Sequence, residues 1–469
     1  MSERRSIGPV DNMWLNRDQP TNLMVIDGVM WFDGKVDIER LIPVIQRRLL
    51  GRYPVFSQRP VPSAIPFGMP YWEDDPDFDL SRHLKQATLP APGDQVTLQA
   101  FVESRMSVPF DRAHPLWEFF LVDGYLGGSA LVSRFHHSLA DGMALSQVLL
   151  SLTDASPVAE PEEPDEQEPS PKHDGGPGGV IGAARAVLDT GAHTVRGGLH
   201  AISALPGLVN PSRAKDLLDL GWRTGKVVDT LVLGHNPPNL FSEGKPGVDK
   251  RAVWSGPRTI KDVKSVSRLT GATVNDVIVA AVSGAINTYL RDRGADPVDL
   301  ITMVPVNVRP PDEPLPRELG NKFALVYLKL PTGLSAPLER VAETKRRMDW
   351  IKASPEALIT FGLNELIGTV ESHVANSVVG FFSDKAIGVT TNVIGPQRQR
   401  YVAGVPIAGA VGWVPGSGRH SVGVCIFSLA GVVRVGFKVD AALVPDVEKL
   451  VHAFDEDLDH LLRLAAHAG

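Results

Sequence analysis

Cysteine is nearly absent from this chain: Cys425 is the only one in 469 residues. A single thiol excludes an intrachain disulfide and a cysteine-rich zinc site, and it suits a reducing compartment. Long apolar runs are also missing. The most apolar stretches, Val422 to Val433 and Val277 to Ile286, fall short of the ~18 to 20 residues of a spanning helix, so any membrane contact would be peripheral. There is no excess of positive charge, since 47 Lys and Arg face 54 Asp and Glu for a formal charge of -7. Part of that acidic excess lies in one segment, and nucleic acid is not an expected partner. The first nine residues, Met1 to Pro9, carry charge with no apolar core behind them, which is not a signal peptide. A cytoplasmic protein is the simplest expectation.

What is present is enough chain for two domains, because one hydrophobic core rarely grows to this length. The first, residues 1–153, opens with a helix capped by Asp37 whose apolar positions Ile38, Leu41, Ile42, Ile45 and Leu49 follow helical spacing, with Gly51 closing it. Pro43 should kink that helix or shift its start. The stretch to about Gly93 reads as ordered loops with short strands. The apolar runs Phe119 to Val122 and Ala130 to Phe135, separated by Gly127 and Gly128, read as a hairpin. Residues 154–179 are rich in Pro, Glu, Asp, Ser and Gly, and read as an acidic linker spanning about 25 to 30 Å if flexible.

Residues 180–250 form a connector with amphipathic helical patterns carrying Arg185, Arg196, Arg213, Lys215, Arg223 and Lys226. Those basic faces admit two readings, an anionic lipid surface or solvated helix faces. Residues 251–469 mix helices, among them Ala272 to about Arg291, with the strands Leu300 to Val308, Asn321 to Leu330 and Val389 to Ile394. A second hairpin is expected around Gly431. Each half mixes strands and helices, so a pair of α/β domains fits.

The chemistry concentrates in Phe135-His136-His137-Ser138-Leu139-Ala140-Asp141-Gly142, between an apolar strand and the helical pattern Met143 to Leu150. Such a junction lifts side chains onto a rigid rim, and Gly142 lets the backbone turn sharply or pass close to a ligand. His136, His137 and Asp141 could be metal ligands, but adjacent strand residues point to opposite faces and no HExxH accompanies them; no metal is expected. Nucleophilic catalysis lacks a GxSxG elbow, and Cys425 lies in an apolar strand pattern where a small buried thiol belongs. A third reading makes one histidine a general base toward a bound hydroxyl. Hydrogen-bonded packing is the structural alternative.

HHSLADG resembles the HHxxxDG motif of the acyl-CoA-dependent acyltransferase superfamily. The wider sequence is similar to the bacterial wax ester synthase/diacylglycerol acyltransferase family. The similarity runs through Val10 to Trp14, Pro115-Leu116-Trp117-Glu118, Thr273 to Val277, Val304 to Arg309, Gly320-Asn321, Thr391 to Pro396 and Tyr401 to Gly404. It implies two chloramphenicol-acetyltransferase-like α/β domains with the active site at their interface. It also implies an acyl-CoA donor, which is a substrate and not a cofactor, and diacylglycerol or a fatty alcohol as acceptor.

His137 would be the general base and His136 a positioning or packing residue. Asp141 would either orient an imidazole or, the favoured option, pair with Arg309 to hold the turn. Asn275 and Asp276 could support the site across the interface or simply cap a helix. Pro115, Leu116 and Trp117 are expected to pack beside the acyl path. The segments Gly412 to His420 and Phe427 to Gly431 depart from the tyrosine-containing pattern expected there, which bears on the acceptor. Two other readings stay open: a condensation-like enzyme using a carrier-protein thioester, and a non-catalytic protein at a lipid surface. For an enzyme with such substrates, the inner face of a membrane or a lipid droplet is the expected place of any peripheral contact.

Overall fold

The computed structural model describes residues 4–65, 68–158, 236–307, 314–353, 380 and 383–468. Its N-terminal elements are β1 (Arg5–Ser6), α1 (Pro9–Leu15), β2 (Val25–Phe32), α2 (Ile38–Ile45), β3 (Gln58–Val61), β4 (Tyr71–Asp74), α3 (Leu80–His83), β5 (Leu84–Thr88), α4 (Gln95–Met106), β6 (Trp117–Tyr125), β7 (Gly128–His136) and α5 (Gly142–Ser151). After the undescribed stretch follow β8 (Lys250–Trp254), β9 (Arg258–Thr259), α6 (Ile260–Thr270), α7 (Val274–Asp292), β10 (Leu300–Asn307), β11 (Phe323–Leu330) and α8 (Pro337–Ala353). The chain closes with β12 (Gly388–Ile394), β13 (Tyr401–Val402), β14 (Val405–Trp413), β15 (Val422–Leu429), β16 (Val432–Asp440) and α9 (Val447–Ala468).

The apolar run before the histidines becomes β7, which lies between β2 and β6 in a six-stranded sheet and is buried along its whole length. A strand covered on both faces has no reason to alternate, which is why its sequence reads as a continuous apolar run. The hairpin from β6 turns through Leu126 at φ 49° and Gly127 at φ 83°. Two consecutive left-handed residues give the turn whose twist matches paired strands. The second hairpin forms as expected, β15 to β16 through Ala430 and Gly431. In α2 the proline breaks the regular ladder: the α-helix containing Pro43 passes into a π-helical turn over Gln46–Leu50. Proline has no N–H to donate to the preceding turn, and a widened turn is one way a helix absorbs that loss.

The larger sheet runs β11-β10-β12-β15-β16-β8, with β9 on β16. Its main core joins strand residues to α6, α7, α8 and α9. Fourteen of the 19 residues of α7 are buried, most of them apolar, as befits a helix at the centre of a core. Among the described residues no single helix is long and apolar enough to cross a membrane.

The sheets do not divide where the sequence pattern divides. Strand β14, from the C-terminal segment 251–469, pairs antiparallel with β2 of the N-terminal sheet, for example Ala410 with Met30 and Trp413 with Asp27. With β13 at its edge, β14 thus brings two strands across the expected boundary, through a pairing between residues nearly 400 apart that no local pattern encodes. At the crossing the sheets come so close that a Cβ on Gly436 would lie 2.5 Å from the Gly412 carbonyl oxygen. Buried Asp27 ties them electrostatically, accepting from Arg134 Nε at 3.3 Å and from Lys438 Nζ of β16 at 3.1 Å. Removing one partner of such a buried cluster typically costs about 3 to 5 kcal/mol, because the others are left charged and unpaired. The expected linker, from residue 159 onward, and the basic connector helices, to residue 235, lie outside the described residues.

Candidate active site

His137 lies one residue beyond β7, where its N–H donates to the Met24 carbonyl at 2.7 Å. Its imidazole stacks on Trp14 of α1, ring centroids 4.7 Å apart, and tilts against Phe323 at the start of β11 at 5.5 Å. The ring is therefore held between the N-terminal helix and the second sheet. Val10, Met13 and Met24 complete the apolar cluster around Trp14 and Phe323. Burial pushes the imidazole pKa down from 6.5 to about 4. Its own main-chain carbonyl, the Asp141 carboxylate and the Asn321 side chain favour a proton on the ring, while His136 opposes it. His137 is accordingly neutral at cellular pH, with a lone pair free to accept a proton. Nδ1 is buried and has no hydrogen-bond partner among the described residues.

Asn321, just before β11, holds the backbone of this residue. Its Nδ2 donates to the His137 carbonyl at 2.7 Å and to Asp11 Oδ1 at 2.8 Å, and its own main-chain N–H donates to the same Asp11 oxygen at 2.8 Å. Asp11 and Trp14 both belong to α1, so one short helix both stacks the ring and anchors the amide.

His136 faces elsewhere. Its Nδ1 accepts from the Ser138 main-chain N–H at 3.1 Å, so the proton sits on Nε2 and donates to Asp18 at 3.2 Å. Asp18 in turn accepts from the Met24 N–H and from Arg112, and its carboxyl is held below the usual range by His136 despite the opposing effect of burial. With both ring nitrogens engaged, His136 braces the strand end. Asp141 is the N-cap of α5: Oδ1 accepts from Ala144 N–H at 2.9 Å, and Oδ2 from the Lys322 N–H at 3.0 Å. It thus locks the motif to the residue following Asn321. Arg309, and with it the favoured Asp141 pairing, lies outside the described residues.

A sequence model of the wax ester synthase/diacylglycerol acyltransferase catalytic domain matches residues 7–278, and one of the family's C-terminal domain matches residues 319–462. The chain belongs to this family. Among its relatives, a probable diacylglycerol O-acyltransferase of Mycobacterium tuberculosis is 26% identical over 421 residues, covering 87% of this chain and 85% of the relative. The solved wax ester synthase/diacylglycerol acyltransferase of Marinobacter aquaeolei is similar in fold at a TM-score of 0.68, with 20% identity, over 98% of this chain and 100% of the other. The first condensation domain of the calcium-dependent antibiotic synthetase shares the fold at a TM-score of 0.59 with 14% identity, covering 99% of this chain and 96% of that one. The architecture is thus that of two chloramphenicol-acetyltransferase-like domains, in a member of an acyltransferase family.

Within this family member the other expected residues take quieter roles. Asp276 completes a capping box with Thr273 at the start of α7: Thr273 N–H donates to Asp276 Oδ2 at 2.9 Å, and Asp276 N–H to Thr273 Oγ1 at 3.2 Å. The capping reading therefore prevails for Asp276. Asn275 accepts from Asn392 Nδ2 at 2.9 Å, joining the helix start to β12, and no contact with His137 accompanies it among the described residues. Pro115, Leu116 and Trp117 are buried, and Trp117 donates to the Phe56 carbonyl at 2.8 Å and stacks on His83.

At Gly142 the sharp turn, one of the two expected reasons for glycine, is absent. The residue has no positive φ, and a Cβ there would meet only Ile26 at 3.9 Å, an ordinary contact, so neither a strained turn nor crowding requires glycine. Cys425 is buried in β15 and burial pushes its pKa up to about 12, which leaves an inert thiol. His420, in the segment that departs from the family pattern, accepts from the Ser417 N–H and donates to the Ser383 carbonyl, a fully bonded neutral ring. Sequence reasoning did not single out Asp11, Trp14, Asn321 or Phe323 as site residues. The available signals were a carboxylate amid the apolar residues Val10, Met13 and Trp14, and the place of Val10 to Trp14 and Gly320-Asn321 among the stretches similar to the family.

Proposed function

We propose that this protein transfers a long acyl chain from acyl-CoA to a hydroxyl, that of diacylglycerol to give triacylglycerol or of a fatty alcohol to give a wax ester. The reading is carried by one observation: a buried neutral imidazole, His137, among apolar side chains at the junction of the two domains. The acceptor O–H donates its proton to His137 Nε2 while its oxygen attacks the thioester carbonyl. The tetrahedral adduct then collapses, the C–S bond breaks, and the imidazolium returns the proton to the CoA sulfur. The negative field of Asp141 supports the imidazolium during that interval. The apolar surround excludes water, which would otherwise hydrolyse the thioester.

Acyl-CoA and acceptor are both substrates in this scheme, and no cofactor or metal takes part. Acceptors of this kind reside in lipid, so the protein works in the cytoplasm at a membrane or lipid-droplet surface; co-sedimentation with vesicles containing diacylglycerol checks this, and recovery in the supernatant alone counts against it.

Purified protein given palmitoyl-CoA with either dioleoylglycerol or hexadecanol should release free thiol and form the matching neutral lipid. Thiol release with no acceptor esterified, or transfer only from an acyl-carrier thioester, would contradict the reading.

A further inference from the structure

The residues that stack on the His137 ring and bond its carbonyl, Trp14, Phe323 and Asn321, lie outside its own motif. Among the described residues no side chain bonds to its Nδ1, and the Asn321 carboxamide is anchored on the main-chain carbonyl of the same residue. An ionised carboxylate only accepts hydrogen bonds, so Asp11 Oδ1 and the His137 carbonyl together demand the NH2 end of that carboxamide. The oxygen end is what remains. Asn321 Oδ1 and His137 Nδ1 are each buried without a hydrogen-bond partner among the described residues. The Asn321 side chain favours a proton on the imidazole, as an acceptor oxygen does and an NH2 does not. The pinned carbonyl of His137 acts in the same sense.

We propose that Asp11 and Asn321 are positioning residues that keep the His137 proton on Nδ1 and the lone pair on Nε2, Asp11 by fixing which end of the Asn321 carboxamide faces the ring. Without Asp11 the carboxamide turns and offers its NH2 to Nδ1. That stabilises the other tautomer, in which Nε2 carries the proton and accepts none. The surroundings make room for the carboxylate: a Cβ on Gly8 or Gly320 would come within 3.2 or 3.1 Å of Asp11 Oδ2. Trp14, on the same helix, fixes the plane of the ring the pair orients. The other titratable groups that bear on Asp11 and His137 are Arg5, Asp141 and His136.

The inference rests on His137 being the base, but its test does not use turnover alone. The full chain is labelled with 15N-histidine, and the ring nitrogens are read at neutral pH by long-range proton–nitrogen correlation, with His137→Gln supplying the assignment. The wild type should show His137 protonated on Nδ1. Asn321→Leu and Asp11→Leu should move the proton wholly or partly to Nε2, while Asp11→Asn, which keeps an acceptor in place, retains the Nδ1–H signal. The kcat of both leucine variants should fall at least ~10-fold with KM for acyl-CoA within ~2-fold, as expected for a base in the wrong tautomer.

The His136 signals report the fold, since that ring is bonded to Asp18 and not to the pair. Asn321→Ser and Asp11→Ser give the same readout should the leucine variants not fold. A wild-type proton on Nε2, or an unchanged Nδ1–H form in all these variants, overturns the inference. Full activity of His137→Ala would instead overturn the base itself and leave the tautomer result standing.

Discussion

Asp11→Asn is predicted to make the protein more stable at neutral pH. The Asp11 carboxyl is buried, and that burial raises its pKa from 3.8 to about 6, against the lowering effects of the Asn321 bonds and Arg5, with Asp141 adding to the rise. An acid whose folded pKa is raised binds its proton more tightly in the native state. Its ionisation therefore weakens the fold as pH rises through the window from 3.8 to about 6, and the full cost is present above it. At about 1.4 kcal/mol for each pKa step, the ionised carboxylate costs about 3 kcal/mol at neutral pH.

Asparagine keeps an acceptor for the two Asn321 N–H groups and carries no charge, so the variant should exceed wild type by up to about 3 kcal/mol at pH 7. The gap should close as pH falls toward 4. Urea unfolding followed by tryptophan fluorescence, repeated at several pH values between about 4 and 8, measures it. A variant less stable than wild type at neutral pH, or a difference that does not change with pH, would refute the reasoning. A carboxylate kept at such a cost is what a positioning role leads one to expect, because functional sites hold local destabilisation that the rest of the fold offsets.

Trp14→Ala should expose one face of the His137 ring, relieve its desolvation and raise its pKa from about 4 toward 6.5; the acidic limb of the kcat/KM profile should then move to higher pH. An unmoved limb would mean the stack does not control the ring. Asp141→Ala should lower stability by roughly 1 to 3 kcal/mol, from the lost cap on α5 and the part-buried Lys322 N–H left without its acceptor; a thermal midpoint equal to wild type would count against the double role. Cys425 should resist iodoacetamide in the native protein and react only on unfolding, as a buried thiol with pKa about 12 must. Rapid native labelling would contradict its burial.

Local chemistry was legible in the sequence, and long-range convergence was not. The β7 to α5 junction could be read because an apolar run, a capping carboxylate and a helical pattern follow one another within a few residues. The glycine-marked hairpins and the effect of Pro43 are local in the same way. The crossing of β14 onto β2 joins residues nearly 400 apart, and its sequence looks like any other strand. Asp11 and Asn321 are 310 residues apart, and each alone reads as an unremarkable polar residue near an element end. For Asp276 the functional and capping readings shared one signature, and only the reciprocal bonds with Thr273 separated them.

The most direct measurement compares wild type with His137→Ala for CoA thiol release and neutral-lipid formation in the same reaction, with circular dichroism confirming that both are folded. Loss of a positioned general base predicts that both products fall together by roughly 10²- to 10⁴-fold. Equal rates of thiol release and ester formation in the two proteins would contradict the account.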